Sequence, residues 1–286
     1  MPNLRTIRRR ITSVTNIQQV TRAMYMVAAA KMRKAQEAIL KDRPYALKLD
    51  EIMSRVASQV DQQAHPLVRE RELERTTVVV IAADRGLCGS FNSNVIRRGA
   101  DLVDSYGGDR TEVICVGGKS RDFFTSRGYD VAQEYAGIFG DLNYGYAQAI
   151  TEDLISRYTS ARTDRIEIVC NEFKSALVQE VMETRFLPLL PRPPEADPNF
   201  VEYLYEPSKE SVWDQLVSRH LAAKVWRTLL ESNASEQAAR MSAMDNATNN
   251  ADDMIQELTQ LRNKVRQTAI TSEITEIVGG ADALAG

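Results

Sequence analysis

Apolar residues near the carboxyl end of the chain recur at alternating steps of three and four. This is the heptad pattern of a left-handed coiled coil. From Ser208 to Val278 the chain has neither glycine nor proline over 71 residues. The span therefore predicts one helix of about 105 Å, at about 1.5 Å per residue, that ends near Gly279 and Gly280. The seam consists of Met244, Ala247, Ala251, Met254, Leu258, Leu261 and Val265.

A second long helix is predicted at the amino end, where no proline or glycine occurs between Asn3 and Arg43. Pro44 is expected to kink this helix. Because the two helices lie at opposite ends of the chain, they favour one antiparallel pair with the middle of the sequence inserted. An intermolecular coiled coil is the alternative. The amino-terminal stripe consists of Leu4, Ile7, Ile11, Val14, Ile17, Val20, Met24 and Val27.

The middle of the chain alternates strand-like and helical segments, which is typical of an α/β domain with a largely parallel, covered sheet. The predicted fold class is α+α/β: a long antiparallel two-helix coiled coil with an inserted Rossmann-like α/β domain. The predicted domains are 1–60 (amino-terminal shaft helix), 76–200 (α/β domain) and 208–286 (carboxy-terminal shaft helix). The strand-like segments are TTVVVIAA, EVICVG and RIEIVCNEF.

The α/β pattern raises the possibility of a nucleotide enzyme, which would need a glycine loop with the spacing of a phosphate-binding motif. The loop Asp84–Ser90 lacks the G-x-G-x-x-G spacing. Gly117–Ser120 resembles the end of a phosphate loop, but Val113 stands where that motif needs glycine. His65 and His220 have no evident nucleophile or carboxylate dyad beside them in the sequence. We therefore expect no catalytic site, no cofactor and no metal.

Composition narrows the class of protein further. The 286 residues are 43% hydrophobic and 26% charged, with a net charge of −3. This composition predicts a folded chain whose overall charge does not attract nucleic acid. Cys88, Cys115 and Cys170 show no disulfide or zinc spacing. The longest apolar run, Val78–Ala83, is far shorter than the roughly 20 residues that span a bilayer, so we expect no direct membrane insertion.

The amino end is locally basic. The first 36 residues contain eight Arg or Lys and no Asp or Glu. A transit peptide or a nucleic-acid-binding helix would share this bias. However, the apolar stripe continues without a cleavage-like boundary, and Tyr25 is the sole aromatic residue for stacking. A basic helix end that meets acidic partner surfaces explains the same residues.

Five segments in the same order resemble the γ subunits of F-type ATP synthases of the bacterial type. The tail ITSEITEIVGGADA is similar to the signature of that family, in which Ile-Thr-x-Glu is followed by a second acid and Gly-Ala. The resemblance covers both ends and the middle of the chain. The other four segments are MVAAAKMRKAQ, DRGLCGSFN, YLYEP and ASEQAARMSAMDNAT.

The resemblance implies a non-catalytic central rotor shaft, which couples proton-driven rotation of a membrane c-ring to ATP synthesis or hydrolysis in a ring of alpha and beta subunits. It implies an epsilon subunit as a further partner, and a peripheral position at the cytoplasmic face of the plasma membrane. Tyr205 and Glu206 correspond to the foot on the c-ring. The positions implied in coupling to the catalytic ring are Met24, Cys88, Arg240, Gln267, Thr271 and Glu273. A homo-oligomeric coiled-coil scaffold and a nucleotide-binding α/β enzyme are the alternative functions.

Overall fold

The computed structural model describes residues 3–57, 65–176, 178–190, 204–206 and 208–285. The helices in this part of the chain are α1 (Leu4–Ala57), α2 (Phe91–Tyr106), α3 (Gly118–Ser126), α4 (Tyr144–Thr159) and α5 (Lys209–Ala285). The strands are β1 (Thr76–Ile81), β2 (Thr111–Val116), β3 (Val131–Tyr135), β4 (Arg165–Phe173) and β5 (Gln179–Leu187).

The chain forms two compact units. The first, here called the helix-pair unit, consists of Met1–Ala28 and Met241–Gly286. The second, here called the sheet unit, consists of Ala29–Arg240. Both unit boundaries fall inside α1 and α5, so each long helix contributes residues to both units.

The sheet unit contains a five-stranded sheet in the order β3-β2-β1-β4-β5, in which β5 alone is antiparallel to its neighbour. The prediction of a largely parallel sheet is therefore confirmed. Every residue of the central strand β1 is buried, as expected for a strand covered on both faces. Val79 and Ile81 pack into a core with residues of α1, α4 and α5, while Val78 and Val80 pack with residues of α2 and α3.

The helix-pair unit confirms the antiparallel pairing, because Thr21 meets Thr248 and Gln18 meets Asp252. The Oγ1 atoms of the two threonines are 2.8 Å apart, and the Gln18 amide donates to the Asp252 carboxylate. As the residue number rises on α1 it falls on α5. Polar side chains therefore contribute to the interface between the two helices.

The predicted apolar seams are wrong in part. On α1, the side chains of Ile17, Val20 and Val27 are more than half exposed, and on α5 Met254 is 50% exposed. Thr21 and Ala28 are buried instead. An undistorted α-helix drifts relative to a strict seven-residue repeat, so a stripe drawn through successive apolar residues leaves the contact face. The predicted end of α5 at the two glycines is also wrong, because the helix continues to Ala285.

Candidate functional site

The loop Asp84–Ser90 follows β1 at the carboxyl edge of the parallel strands, where α/β folds place functional loops. The side chain of its first residue, Asp84, accepts hydrogen bonds from backbone N–H groups of other segments. Asp84 Oδ1 accepts from the backbone N–H groups of Gly118, at 3.0 Å, and Gly137, at 2.7 Å. Asp84 Oδ2 accepts from Phe139 N at 3.2 Å. An internal carboxylate therefore occupies the N-terminus of α3, where a phosphate group would bind.

The Gly117–Ser120 segment also has a structural role in the sheet unit. Gly117 has φ +94°, and a Cβ atom at this position would lie 2.0 Å from the Ala82 carbonyl oxygen. Lys119 pairs with Asp122 at 3.6 Å, within α3. Ser120 Oγ donates to the carbonyl oxygens of Val116 and Gly117, which precede α3. The residues that resemble a phosphate loop thus join β2 to α3.

Arg240 on α5 fixes the middle of the loop. One guanidinium nitrogen, Nη1, donates to the Gly86 carbonyl oxygen, and Nη2 donates to Glu236 Oε1. Gln237 Nε2 donates to the same Glu236 oxygen at 3.2 Å. Burial raises the pKa of the Glu236 carboxyl, and the hydrogen bond and charge of Arg240 oppose this shift. The charged hydrogen bond to the buried Glu236 carboxylate therefore fixes the position of the Arg240 guanidinium group.

Cys88, within the loop, is buried, with 1% of its surface exposed. Its Sγ atom lies 3.2 Å from Asn92 Nδ2, which donates to it. Burial raises the pKa of the Cys88 thiol, and the positive charge of Arg240 opposes this shift. Such a thiol stays protonated and reacts slowly. Of the predicted coupling residues, Cys88 and Arg240 are brought together here, and both face inward.

The loop also contains residues that the sequence did not single out. Leu87 is 67% exposed and adopts φ +63°, a left-handed conformation that is uncommon for leucine. Arg85 is exposed beside it. Asn92, at the start of α2, holds the beginning of the loop in place. Its Nδ2 donates to Arg85 O at 3.2 Å, and its Oδ1 accepts from Ala83 N at 2.9 Å. Left-handed backbone at Leu87 has no sequence signal, since leucine does not favour it.

The two residues predicted to form the foot, Tyr205 and Glu206, lie in the short described segment before α5. Tyr205 is half-buried, and Lys209 Nζ lies 5.2 Å from the centroid of its ring. Glu206 is exposed, and Leu204 beside them is 98% exposed. This segment therefore presents a charged and an apolar side chain to its surroundings.

The remaining predicted residues belong to the helix-pair unit. Met24 is half-buried on α1. Gln267, Thr271 and Glu273 lie on α5 and are all exposed. The structure does not bring these three together with Met24 as one site. They lie instead along a helix whose side chains are exposed at every position from 270 to 279.

Each of the two histidines lies beside a carboxylate. His65 Nε2 lies 3.4 Å from Asp214, and His220 Nδ1 lies 3.2 Å from Asp50. Within the described ranges, no group of three or more His, Cys, Asp or Glu side chains is arranged to hold a metal ion. Over the same residues, no helix has both the length and the apolar character that a membrane span requires.

Comparison with known proteins identifies the class. A family model described as ATP synthase matches residues 3–284, so the chain belongs to the ATP synthase family. Within it, this chain is similar to proteins named ATP synthase gamma chain. The gamma chain of Pelotomaculum thermopropionicum is 46% identical over 284 residues, which cover 99% of this chain and 100% of the relative. That of Chlorobaculum tepidum is 44% identical over 290 residues, which cover 99% of each.

Solved structures show a similar fold. A chain from the central stalk/c-ring of the Tetrahymena thermophila mitochondrial ATP synthase is 27% identical, with a TM-score of 0.62, over 80% of this chain and 99% of that chain. A chain from the Euglena gracilis mitochondrial ATP synthase (OSCP/F1/c-ring) is 20% identical, with a TM-score of 0.69, over 98% of this chain and 94% of that chain. The second likeness concerns the fold alone.

Proposed function

We propose that this chain is the central rotor shaft of an F-type ATP synthase, which couples rotation of a membrane c-ring to ATP synthesis or hydrolysis in a ring of alpha and beta subunits. The observation that supports this most strongly is the 46% identity to a gamma chain along 99% of the sequence. In this function the chain is not itself a catalyst. The Asp84 carboxylate at the N-terminus of α3 agrees with that role, because a nucleotide phosphate would have to displace it.

The helix-pair unit is suited to a shaft inside a ring. An asymmetric shaft shows a different face to each of several identical subunits, and the bias it imposes equals its difference in contact energy between their states. Apolar side chains remain exposed on both of its helices, which is typical of a surface that other proteins cover. These include Ile17, Val20, Val27, Met254, Leu261, Ile270, Ile274 and Ile277.

The residue roles follow from the same proposal. Met24, Gln267, Thr271 and Glu273 contact the catalytic ring, and Cys88 and Arg240 act at the loop Asp84–Ser90. Tyr205 and Glu206 contact the c-ring, and an epsilon subunit binds the sheet unit. The complex is peripheral and lies at the cytoplasmic face of the plasma membrane.

Rotation provides the direct test. The native complex is isolated through a tag on this chain, and a bead is attached to Asp109→Cys, an exposed position in the sheet unit. The three natural cysteines are buried and should not compete for the label. We expect alpha, beta, epsilon and c subunits to co-purify and the bead to rotate when ATP is added. Rapid ATP hydrolysis by a labelled complex whose bead stays still would contradict the proposal.

Truncation tests the coupling residues on α5. A chain that ends at Val265 lacks Gln267, Thr271 and Glu273, whereas the matched control lacks only Gly279–Gly286. We expect the first truncation to reduce ATP-driven proton pumping per ATP hydrolysed several-fold and the control to leave most of it. Equal pumping by the two complexes would remove these three residues from the proposal.

A further inference from the structure

We propose that the sheet unit contains a binding site for an uncharged aromatic molecule that carries an N–H or O–H donor, in a cavity between α1, α5 and the β4–β5 side of the sheet. The cavity has a volume of about 430 Å³, within the size range of small-molecule sites. The site lies wholly within Ala29–Arg240, and the inference does not rest on the proposed function. The buried apolar side chains of the lining, here called the floor, are Leu49, Met53, Cys170, Leu189 and Ala223.

The floor comes from four parts of the fold and is uncharged. Leu49 and Met53 belong to α1, and Ala223 belongs to α5. These residues and Leu189, which follows β5, each have 6% or less of their surface exposed. Cys170 of β4 is 8% exposed, and burial raises the pKa of its thiol to about 12. Such a floor binds an apolar body and disfavours a charge that would have to leave water.

Charged side chains above the floor are paired across or along the two helices. His220 Nδ1 of α5 lies 3.2 Å from Asp50 Oδ1 of α1. Arg227 Nε lies 2.8 Å from Glu231 Oε1, one turn further along α5. An ionic ligand would therefore have to compete with a partner that the chain already supplies.

The same holds for the other two charged groups of the lining. Lys224 Nζ donates to the Arg185 carbonyl oxygen at 2.9 Å. Glu172 Oε2 lies 2.9 Å from Lys174 Nζ. Because these groups are also engaged within the chain, the cavity favours a ligand without a formal charge.

Hydroxyl groups supply the polar contacts of the site. Ser54 Oγ donates its proton to Glu51 O at 3.3 Å, and Thr228 Oγ1 donates to Lys224 O at 2.8 Å. Both hydroxyl groups line the cavity. Each hydroxyl oxygen still has lone pairs that can accept a hydrogen bond. The lining therefore favours a ligand that donates one.

Sulfur atoms favour an aromatic ligand. Met182 of β5 is the cross-strand partner of Cys170 on β4, and Met53 lines the same cavity from α1. Methionine side chains adapt to the shape of a ligand and make favourable contacts with aromatic rings. Met182 and Leu190 are 37% and 57% exposed, so the rim of the cavity is apolar as well.

Two probes that share one aromatic frame test the class of ligand. Phenylnaphthylamine is uncharged and has one N–H donor, whereas anilinonaphthalene sulfonate adds a negative charge to that frame. Both fluoresce more strongly in apolar surroundings. With the full chain, we expect saturable binding of one phenylnaphthylamine per chain, and weaker binding of the sulfonate by about tenfold or more, because its charge must leave water. Equal affinity of the two probes would overturn the proposed class of ligand.

A charge at the rim tests the location of the site. Met182→Asp places a carboxylate there, and Val178→Asp is the matched control, because Val178 is an apolar residue that is 49% exposed and lies outside the lining. We expect Met182→Asp to weaken binding of phenylnaphthylamine by about tenfold and Val178→Asp to leave it unchanged. Wild-type affinity in Met182→Asp would overturn the site. Equal losses in the two variants would overturn it too, since added surface charge would explain both.

Removal of the hydroxyl acceptors tests the donor requirement. The double variant Ser54→Ala and Thr228→Val lacks both hydroxyl groups and alters the shape of the cavity little. We expect its affinity for phenylnaphthylamine to fall several-fold. Wild-type affinity in this variant would overturn the part of the proposal that requires an N–H or O–H donor.

Thermal unfolding gives a readout that does not depend on probe fluorescence. A molecule that binds only the folded chain raises the unfolding midpoint as its concentration rises. Followed by circular dichroism, we expect this rise with phenylnaphthylamine in the wild type and in Val178→Asp, and a much smaller one in Met182→Asp. A midpoint that does not move in the wild type, or that rises equally in all three proteins, would overturn the site.

Discussion

The sheet unit buries a large apolar core, whereas the helix-pair unit buries few apolar side chains. In the sheet unit, the central strand β1 is buried at every position, and Leu154 and Phe124 beside it have no exposed surface. In the helix-pair unit, Thr21 and Thr248 meet between the helices while Ile17 is 53% exposed. The sheet unit buries its apolar residues in its own core, whereas the helix-pair unit leaves many of its apolar residues exposed.

This difference indicates how each unit is stabilised. Burial of apolar surface supplies most of the free energy that folds a domain, so the sheet unit has what it needs within its own residues. The helix pair buries a smaller apolar set, which includes Ile7, Ala28, Met244 and Ala251, and adds the contact between Thr21 and Thr248. A polar contact in a helix seam fixes register at a cost in stability. Partners that cover the exposed apolar residues would therefore stabilise the helix pair.

The largest expected effect comes from Gly117→Ala in the sheet unit. Its Cβ atom would lie 2.0 Å from the Ala82 carbonyl oxygen, and its φ is +94°. Because backbone must move where β1 and β2 end, we expect the free energy of unfolding to fall by about 4 kcal/mol or more. Chemical denaturation followed by the fluorescence of Trp213 and Trp226, both in the sheet unit, measures this.

Gly107→Ala is the control for that substitution. Gly107 has φ +89°, but no atom lies within 4 Å of the position of its Cβ. We expect a loss of about 1–2 kcal/mol from backbone strain alone. Equal losses at the two glycines would show that backbone strain, and not the close approach of a Cβ atom to Ala82, makes glycine necessary at position 117.

A pair of truncations compares the two kinds of apolar residue. Leu154→Ala empties a fully buried position, and we expect it to cost about 2–5 kcal/mol. Ile17→Ala removes a side chain that is 53% exposed, and we expect a change within about 0.5 kcal/mol in the isolated chain. Denaturation followed by circular dichroism reports both. A large loss from Ile17→Ala would mean that the helix pair relies on Ile17 for its own stability.

The threonine contact provides a smaller test of the helix pair. Thr21→Val or Thr248→Val alone removes the contact between the helices and leaves the other hydroxyl only the carbonyl oxygen of its own helix, Met244 O or Gln18 O, so we expect each to cost about 1 kcal/mol. The double substitution replaces both partners by groups of the same shape, and we expect it to be close to neutral. Hydrogen exchange of the α1 backbone amides measures the local stability. Additive losses in the double variant would exclude a direct contact between the two side chains.

The smallest effect concerns pH and His65 in the sheet unit. Burial lowers the pKa of His65 below its ordinary value of 6.5, and the charge of Asp214 opposes the shift. Its Nδ1 accepts from Leu67 N at 3.1 Å, which favours the neutral ring. The unfolded chain therefore binds a proton at a higher pH than the folded chain, so the free energy of unfolding should fall as the pH drops below about 6.5.

His65→Gln should weaken this pH dependence, because it removes the titrating group while keeping polar atoms. Unfolding free energies of wild type and variant at pH 7.5 and 5.5 make the comparison. An identical decrease in both proteins would assign the pH dependence to other groups.

Much of the architecture follows from local pattern in the sequence. The 71-residue span without glycine or proline predicts α5, and the apolar runs predict β1, β2 and β4. The sequence does not predict β3 and β5 in this way. Both are edge strands with partly exposed, charged side chains, so neither shows the continuous apolar run of a covered strand.

The amino-acid sequence by itself determined the two long helices, the three apolar strands, the family resemblance and the positions that match its motifs, because these depend on residue type and spacing. The tertiary structure alone decided which face of α1 is buried, since Thr21 and not Val20 meets the opposite helix. It also decided that Cys88 faces inward and Leu87 outward, through bonds that join Gly86 to Arg240, 154 positions away. Contacts between residues so distant in the chain leave no local periodicity, and only folding brings them together.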